Sequence, residues 1–212
     1  MSLKWRKVIK GNITQPDKGE YSDWKPLLAK EALNQCVYCA IHDSALGGIR
    51  NFHVEHYRPK SLFPKFTNTF TNLFYACPIC NTFKGDDWPN EPSEDFSNHC
   101  YPDPSAHDYN SFFEIDIKSG LINGKSITSC YLTEKLYLNR NQLILERRSQ
   151  ILRSRENELI ETLLSLCEIL KNLSDEEANS LMLQCVKVLS GITLLKNQLH
   201  NITPYEPQDV KR

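Results

Sequence analysis

Apolar and polar positions divide the chain into two regimes. From about Thr133 the apolar residues recur at helical spacing: Leu152, Leu159, Leu163, Leu166, Leu170 and Leu173 form one stripe, which predicts a long amphipathic helix. Ser174-Asp-Glu-Glu177 is a capping-box sequence that opens a second helix, striped through Met182, Cys185, Leu189, Ile192 and Leu199 until Pro204. Together they predict an antiparallel helical hairpin. Before Thr133 the elements are short. Pro26 starts a helix through Leu27, Leu28, Ala32 and Leu33. Asn51 to Tyr57 alternates with period two and predicts a strand with Phe52, Val54 and His56 on one face, after a Gly47-Gly48 turn. Leu73 to Ala76 predicts another extended run, and the residues after Cys80 can start a helix. Residues 85–110, rich in Asp, Pro, Asn and Ser, read as an irregular acidic connector. Phe112 to Ile117 and Leu121-Ile122, around Ser119-Gly120, predict a β-hairpin.

Composition sets the class. With 212 residues, 40% apolar and 24% charged, the chain reads as globular, neither disordered nor fibrous. No stretch approaches the roughly 18 apolar residues of a membrane span, and Met1 to Lys10 lacks the apolar run of a signal peptide. The expectation is a soluble, cytoplasmic protein with no membrane partner. Eight cysteines are then unusual, because a reducing compartment disfavours structural disulfides. Cys36-x-x-Cys39 and Cys77-x-x-Cys80 have the spacing of two knuckles sharing one tetrahedral structural zinc. A thioredoxin-like redox pair would need only one such motif inside a βαβ pattern. Cys100, Cys130, Cys167 and Cys185 stand alone and are expected as small buried residues, Cys167 and Cys185 on apolar helical faces. His99 beside Cys100 has no second pair at ligand spacing, so no second zinc site is expected.

Charge adds a division that the net value of -1 conceals. Residues 1–84 carry a balance of +6, residues 85–116 one of -9, and the remainder +2. The knuckles thus lie in the basic part, which weakly favours a polyanionic partner. Arg147, Arg148, Arg153 and Arg155 read as the solvent side of the long helix.

The segment between the knuckles carries the candidate chemistry. If Cys77 and Cys80 hold a helix start against the strand ending at His56, then Glu55, His56 and Asn81 converge. The Glu55 carboxylate and Asn81 amide suit a hard divalent ion such as magnesium or manganese. Neutral His56, with an ordinary pKa of about 6.5, suits proton abstraction from water near neutral pH. Arg58, Lys60, Lys65 and Lys84 are candidates for neighbouring phosphates, or solvated surface charges. His53 shares a strand face with Glu55; a supporting role at the metal or a phosphate and a surface or packing role both stay open.

Glu55-His56, Asn72-Leu73 and Cys77-x-x-Cys80-Asn81-x-x-Lys84 together resemble the HNH endonuclease signature. The resemblance covers about residues 36–84 and implies a zinc-clasped ββα-metal finger; with the flanking helices and the C-terminal helical hairpin read from the apolar pattern, the expected fold class is α+β. It implies His56 as the water-activating base, Asn72 as the residue orienting the loop and the base, Glu55 and Asn81 as ligands of the catalytic metal, and the four cysteines as zinc ligands. Glu55 departs from the Asp of many members. The longer run His53-x-Glu-His-Tyr-Arg-Pro-Lys60, with the acidic connector and helical tail, is similar to the HNH subunits of Septu antiphage defence systems (PtuB-like), including those attached to retrons. That implies an ATPase partner of the SMC/ABC type (PtuA-like) and a DNA or RNA substrate. The layout expected is an N-terminal segment and helix (1–35), the nuclease core (36–90), the acidic connector and hairpin (91–130), and a helical region available to a partner (131–212). The rival is a non-catalytic zinc-ribbon module that binds nucleic acid or protein, which would need no general base beside hard-metal ligands.

Overall fold

The computed structural model describes residues 5, 7–10, 14–170 and 175–202. Helix α1 (Lys25–Glu31) starts at a Pro in its first turn and buries Leu28 and Ala29. The first cysteine knuckle follows. Its Val37 N–H donates to the Tyr75 carbonyl at 3.0 Å, which docks the knuckle on the strand that leads into the second one.

Strand β1 (His53–His56) is shorter than the alternation predicts and pairs antiparallel with β2 (Leu73–Ala76), in the register His53 with Ala76 and His56 with Leu73. The turn before β1 uses Gly47 at φ +83°, where a Cβ would meet the Asn51 amide at 2.5 Å. All four β2 residues are buried, so this strand is the floor of the core. Helix α2 (Pro78–Lys84) starts immediately after β2 with Cys77 as its cap, giving a β–β–α unit.

The predicted hairpin forms as β3 (Phe113–Ile115) and β4 (Ile122–Gly124). Helix begins earlier than the expected Thr133: α3 (Ile127–Lys135) is capped by a reciprocal Ser126–Ser129 pair. At Gly124 a Cβ would lie 2.4 Å from the Cys130 nitrogen, so β4 and α3 approach as only glycine allows. The chain then breaks at 136–140, because the Asn139 side chain bonds both the N–H and the carbonyl of Ile122 at 2.9 Å and turns the backbone toward β4. One buried cluster extends from Trp5 to Leu143 and joins these segments.

Beyond it α4 (Asn141–Leu170) and α5 (Asp175–His200) pair as the predicted hairpin. Leu152, Leu159, Leu163, Leu166 and Leu170 are half-buried, as their stripe predicts. Leu173 and Ser174 lie outside the described residues. On α5 the stripe is rotated from the expectation: Leu181, Cys185, Val188, Ile192, Leu195 and Leu199 turn inward, while Met182 and Leu189 are exposed. Apolar residues on several sides of α5 let more than one stripe be drawn, and contact with α4 selects among them. Of the lone cysteines expected to be buried, Cys100 and Cys185 are, while Cys130 and Cys167 are exposed. Arg147 is also corrected. It is 1% exposed, and its guanidinium donates to the Gly120 and Leu138 carbonyls and to Asn139.

Candidate active site and zinc clasp

The two knuckles meet because β2 holds one and leads into the other. Their four cysteines are buried, none forms a disulfide, and their sulfurs lie within 4.8 Å of one another, Cys39 and Cys77 at 3.7 Å. Tetrahedral zinc, with bonds of about 2.3 Å, needs sulfurs about 3.8 Å apart, so the set fits zinc with a small contraction. The Cys80 N–H donates to Cys77 Sγ at 3.4 Å, which occupies an amide at the start of α2 with a ligand sulfur. Among the described residues this is the one group of three or more His, Cys, Asp or Glu side chains placed to share a metal.

With α2 held against β1, the strand's end opens into a cleft of about 250 Å³ lined by Tyr21, His53, Glu55, His56, Lys60, Asn81 and Asp86 among others. His56 Nε2 lies 3.0 Å from the Thr67 carbonyl. A carbonyl only accepts, so Nε2 carries the hydrogen and Nδ1 keeps the lone pair in the neutral ring. Burial, aided by the nearby Lys60 and Lys84 charges, holds the His56 pKa below its ordinary 6.5 despite the Thr67 bond. The Tyr21 ring packs edge-on at 4.8 Å.

Opposite stand the metal candidates. The Asn81 amide nitrogen is 3.3 Å from His53 Nδ1, and His53 is exposed, which fits either a supporting or a surface role. Glu55 lies two residues along the strand but is buried. Its Oε1 accepts from Lys84 Nζ at 2.7 Å and from the Tyr38 hydroxyl at 3.1 Å. Burial raises the Glu55 pKa, which Lys84 and Tyr38 partly offset. Asn81 and His53 offer an amide and an imidazole along the cleft, donor types a divalent cation can use, while Oε1 of Glu55 is already taken by Lys84 and Tyr38.

Several expectations are revised by these positions. Lys84 is 1% exposed, and its ammonium is taken by Glu55 and by the His56 carbonyl at 2.9 Å, so it contacts no phosphate; it braces the strand end instead. Arg58 pairs with Glu91 of the acidic connector at 2.8 Å and lies over the Phe63 and Phe66 rings. Lys60 remains in the cleft, exposed, with Nζ 3.2 Å from the Tyr21 hydroxyl. Asn72 does not line the cleft. It accepts from the Arg58 N–H at 2.9 Å and donates to the Arg58 and Phe66 carbonyls, stapling the loop between β1 and β2.

This β–β–α arrangement, with a histidine closing β1 beside a four-cysteine clasp, agrees with comparison by family. Residues 36–87 match the HNH endonuclease family model. No curated protein and no solved structure matches the chain. The matched segment spans both knuckles, β1, β2 and α2, and so every cleft residue named above except Tyr21. Reading the sequence missed Arg140, whose guanidinium lies against three of the four cysteine sulfurs, and Tyr38, which holds Glu55. Neither carries a local signal: Arg140 is 101 positions from Cys39, and Tyr38 reads as a spacer inside a knuckle.

Proposed function

We propose that the protein is a metal-dependent endonuclease that hydrolyses phosphodiester bonds of nucleic acid. The observation that carries this reading is the orientation of His56. Its Nε2–H is committed to the Thr67 carbonyl, which leaves the Nδ1 lone pair outside that bond, and His56 lines a cleft with His53, Glu55 and Asn81. A water at Nδ1 gives up its proton to the neutral ring as its oxygen attacks phosphorus. Glu55, Asn81 and His53 would hold the divalent ion, which supplies charge neutralisation at the phosphate and the departing oxygen. Asn72 keeps the Thr67 loop, and with it the imidazole, in place. Lys60, exposed in the cleft beside the Tyr21 hydroxyl, is the cation proposed to meet a neighbouring phosphate.

The finer reading is a nuclease effector of a bacterial antiphage defence system, of the Septu type, working with an SMC/ABC-like ATPase. Two features support it: the His53-to-Lys60 run, and the apolar side chains that the helical arm leaves exposed, Leu164, Met182, Leu183, Val186 and Leu194. That ATPase is the partner such a surface would meet.

The test is incubation of the purified protein with DNA and RNA panels in magnesium or manganese, with and without the ATPase encoded beside it. Cutting is expected, and His56→Ala should abolish it while keeping fold and zinc. If the mutant cuts as well as the parent, the base is elsewhere. Nucleic-acid binding without any cutting by the parent would establish the zinc-ribbon reading instead.

A further inference from the structure

We propose that Arg140 is the positioning residue that neutralises the zinc-bound thiolates and ties the helical arm to the metal. The proposal rests on the four-cysteine set holding zinc. Four thiolates around one Zn²⁺ leave a net charge of -2 in a wholly buried place, which is costly without a cation close by. Arg140 is buried there. Its Nη2 lies 3.5 Å from Cys39 Sγ and 3.7 Å from the Cys77 and Cys80 sulfurs, and its Nη1 lies 3.7 Å from Cys80. The planar fork lets one side chain reach sulfurs from both knuckles, which a lysine's single ammonium reproduces only in part.

The same guanidinium holds the break between two helices. Nη1 donates to the Leu136 and Tyr137 carbonyls at 3.2 and 3.3 Å, in the turn that ends α3. The Arg140 carbonyl accepts from Leu143 and Ile144 in the first turn of α4. A cation at the start of a 30-residue helix faces the positive end of its dipole, an unfavourable place unless negative charge lies beside it. The thiolates supply that charge. Arg140 is therefore a direct link between the arm and the metal-held core, and a partner that displaces the root of α4 alters the surroundings of the zinc ligands.

The experiment compares wild type, Arg140→Gln and Arg140→Lys. Elemental analysis first counts zinc in the wild type; one per chain is required, and none removes the zinc reading itself. Zinc release on thiol alkylation by N-ethylmaleimide is then followed with a chromogenic chelator. A thiolate that loses its charge-assisted donor is a stronger nucleophile, so release from Arg140→Gln should be faster on the order of tenfold, with Arg140→Lys intermediate. The sulfur-to-metal charge-transfer bands of the cobalt-substituted proteins should shift in the same order. Wild-type release rates and bands in a folded Arg140→Gln overturn the proposal. If Arg140→Gln does not fold, Arg140→Lys decides: faster release than wild type supports the proposal, and equal release overturns it.

Discussion

His56, the proposed base, and Lys84, which braces it through its carbonyl, meet at the end of β1. The burial that holds the His56 pKa below 6.5 keeps its ring neutral at physiological pH. Nuclease activity should therefore stay flat as pH falls toward 6.5 and decline only below it. A single-turnover pH profile in saturating metal checks this; an acidic midpoint above 6.5 contradicts the base assignment. The sign for stability follows. The unfolded chain binds the His56 proton before the folded one does, so this contribution falls as pH drops from about 6.5 through the lowered value. Lys84 tests the other half. Lys84→Met leaves the buried Glu55 carboxylate without its cation, and denaturant unfolding should show a loss of about 3–5 kcal/mol. The double variant Lys84→Met with Glu55→Gln should recover part of it, because the stranded charge is then gone.

The loop between β1 and β2 needs a fastener, since it has only short turns of its own and carries the carbonyl that orients His56. Asn72 is that fastener, with three hydrogen bonds across residues 58 to 66. Asn72→Ala should cost about 1–3 kcal/mol in thermal or chemical unfolding, lower kcat and leave the zinc content unchanged. A variant with normal kcat would mean that Thr67 is held by something else. The helix-forming pattern behaves differently along the chain. It predicts α4 and α5 as elements because apolar spacing is local, yet it places Met182 and Leu189 on the wrong side, because the face of α5 that is buried is chosen by α4. Only the start of α3, residues 127–130, reads in the sequence as connector and hairpin. Its helix depends on the Ser126–Ser129 cap and on contact with β4 through Gly124.

In the molecule as a whole, a buried core runs from Trp5 to Leu143, and from it α4 and α5 extend as an arm with a row of exposed apolar residues. Among the described residues no helix is long and apolar enough to cross a membrane. Replacing Met182, Leu183, Val186 and Leu194 together with Gln keeps helix-forming side chains on solvent-facing positions. Thermal unfolding should then change little, while co-purification with the proposed ATPase partner is lost; undiminished co-purification places the proposed contact elsewhere. The charge division also acquires a contact, since Glu91 of the acidic connector occupies Arg58 in the basic part. What the sequence by itself determined is the chemistry that spacing encodes: two knuckles with four thiol ligands, a histidine closing a strand, an Asn four residues past Cys77, and two long helices. Those depend on neighbours a few positions apart. Only the tertiary structure decided that Lys84 turns inward to Glu55, that Asn72 staples a loop, that Arg147 is buried among carbonyls and that Arg140 lies against the sulfurs. A buried charge is tolerated only where its partners converge, and for Arg140 the partners arrive from sequence positions 60 to 101 residues away.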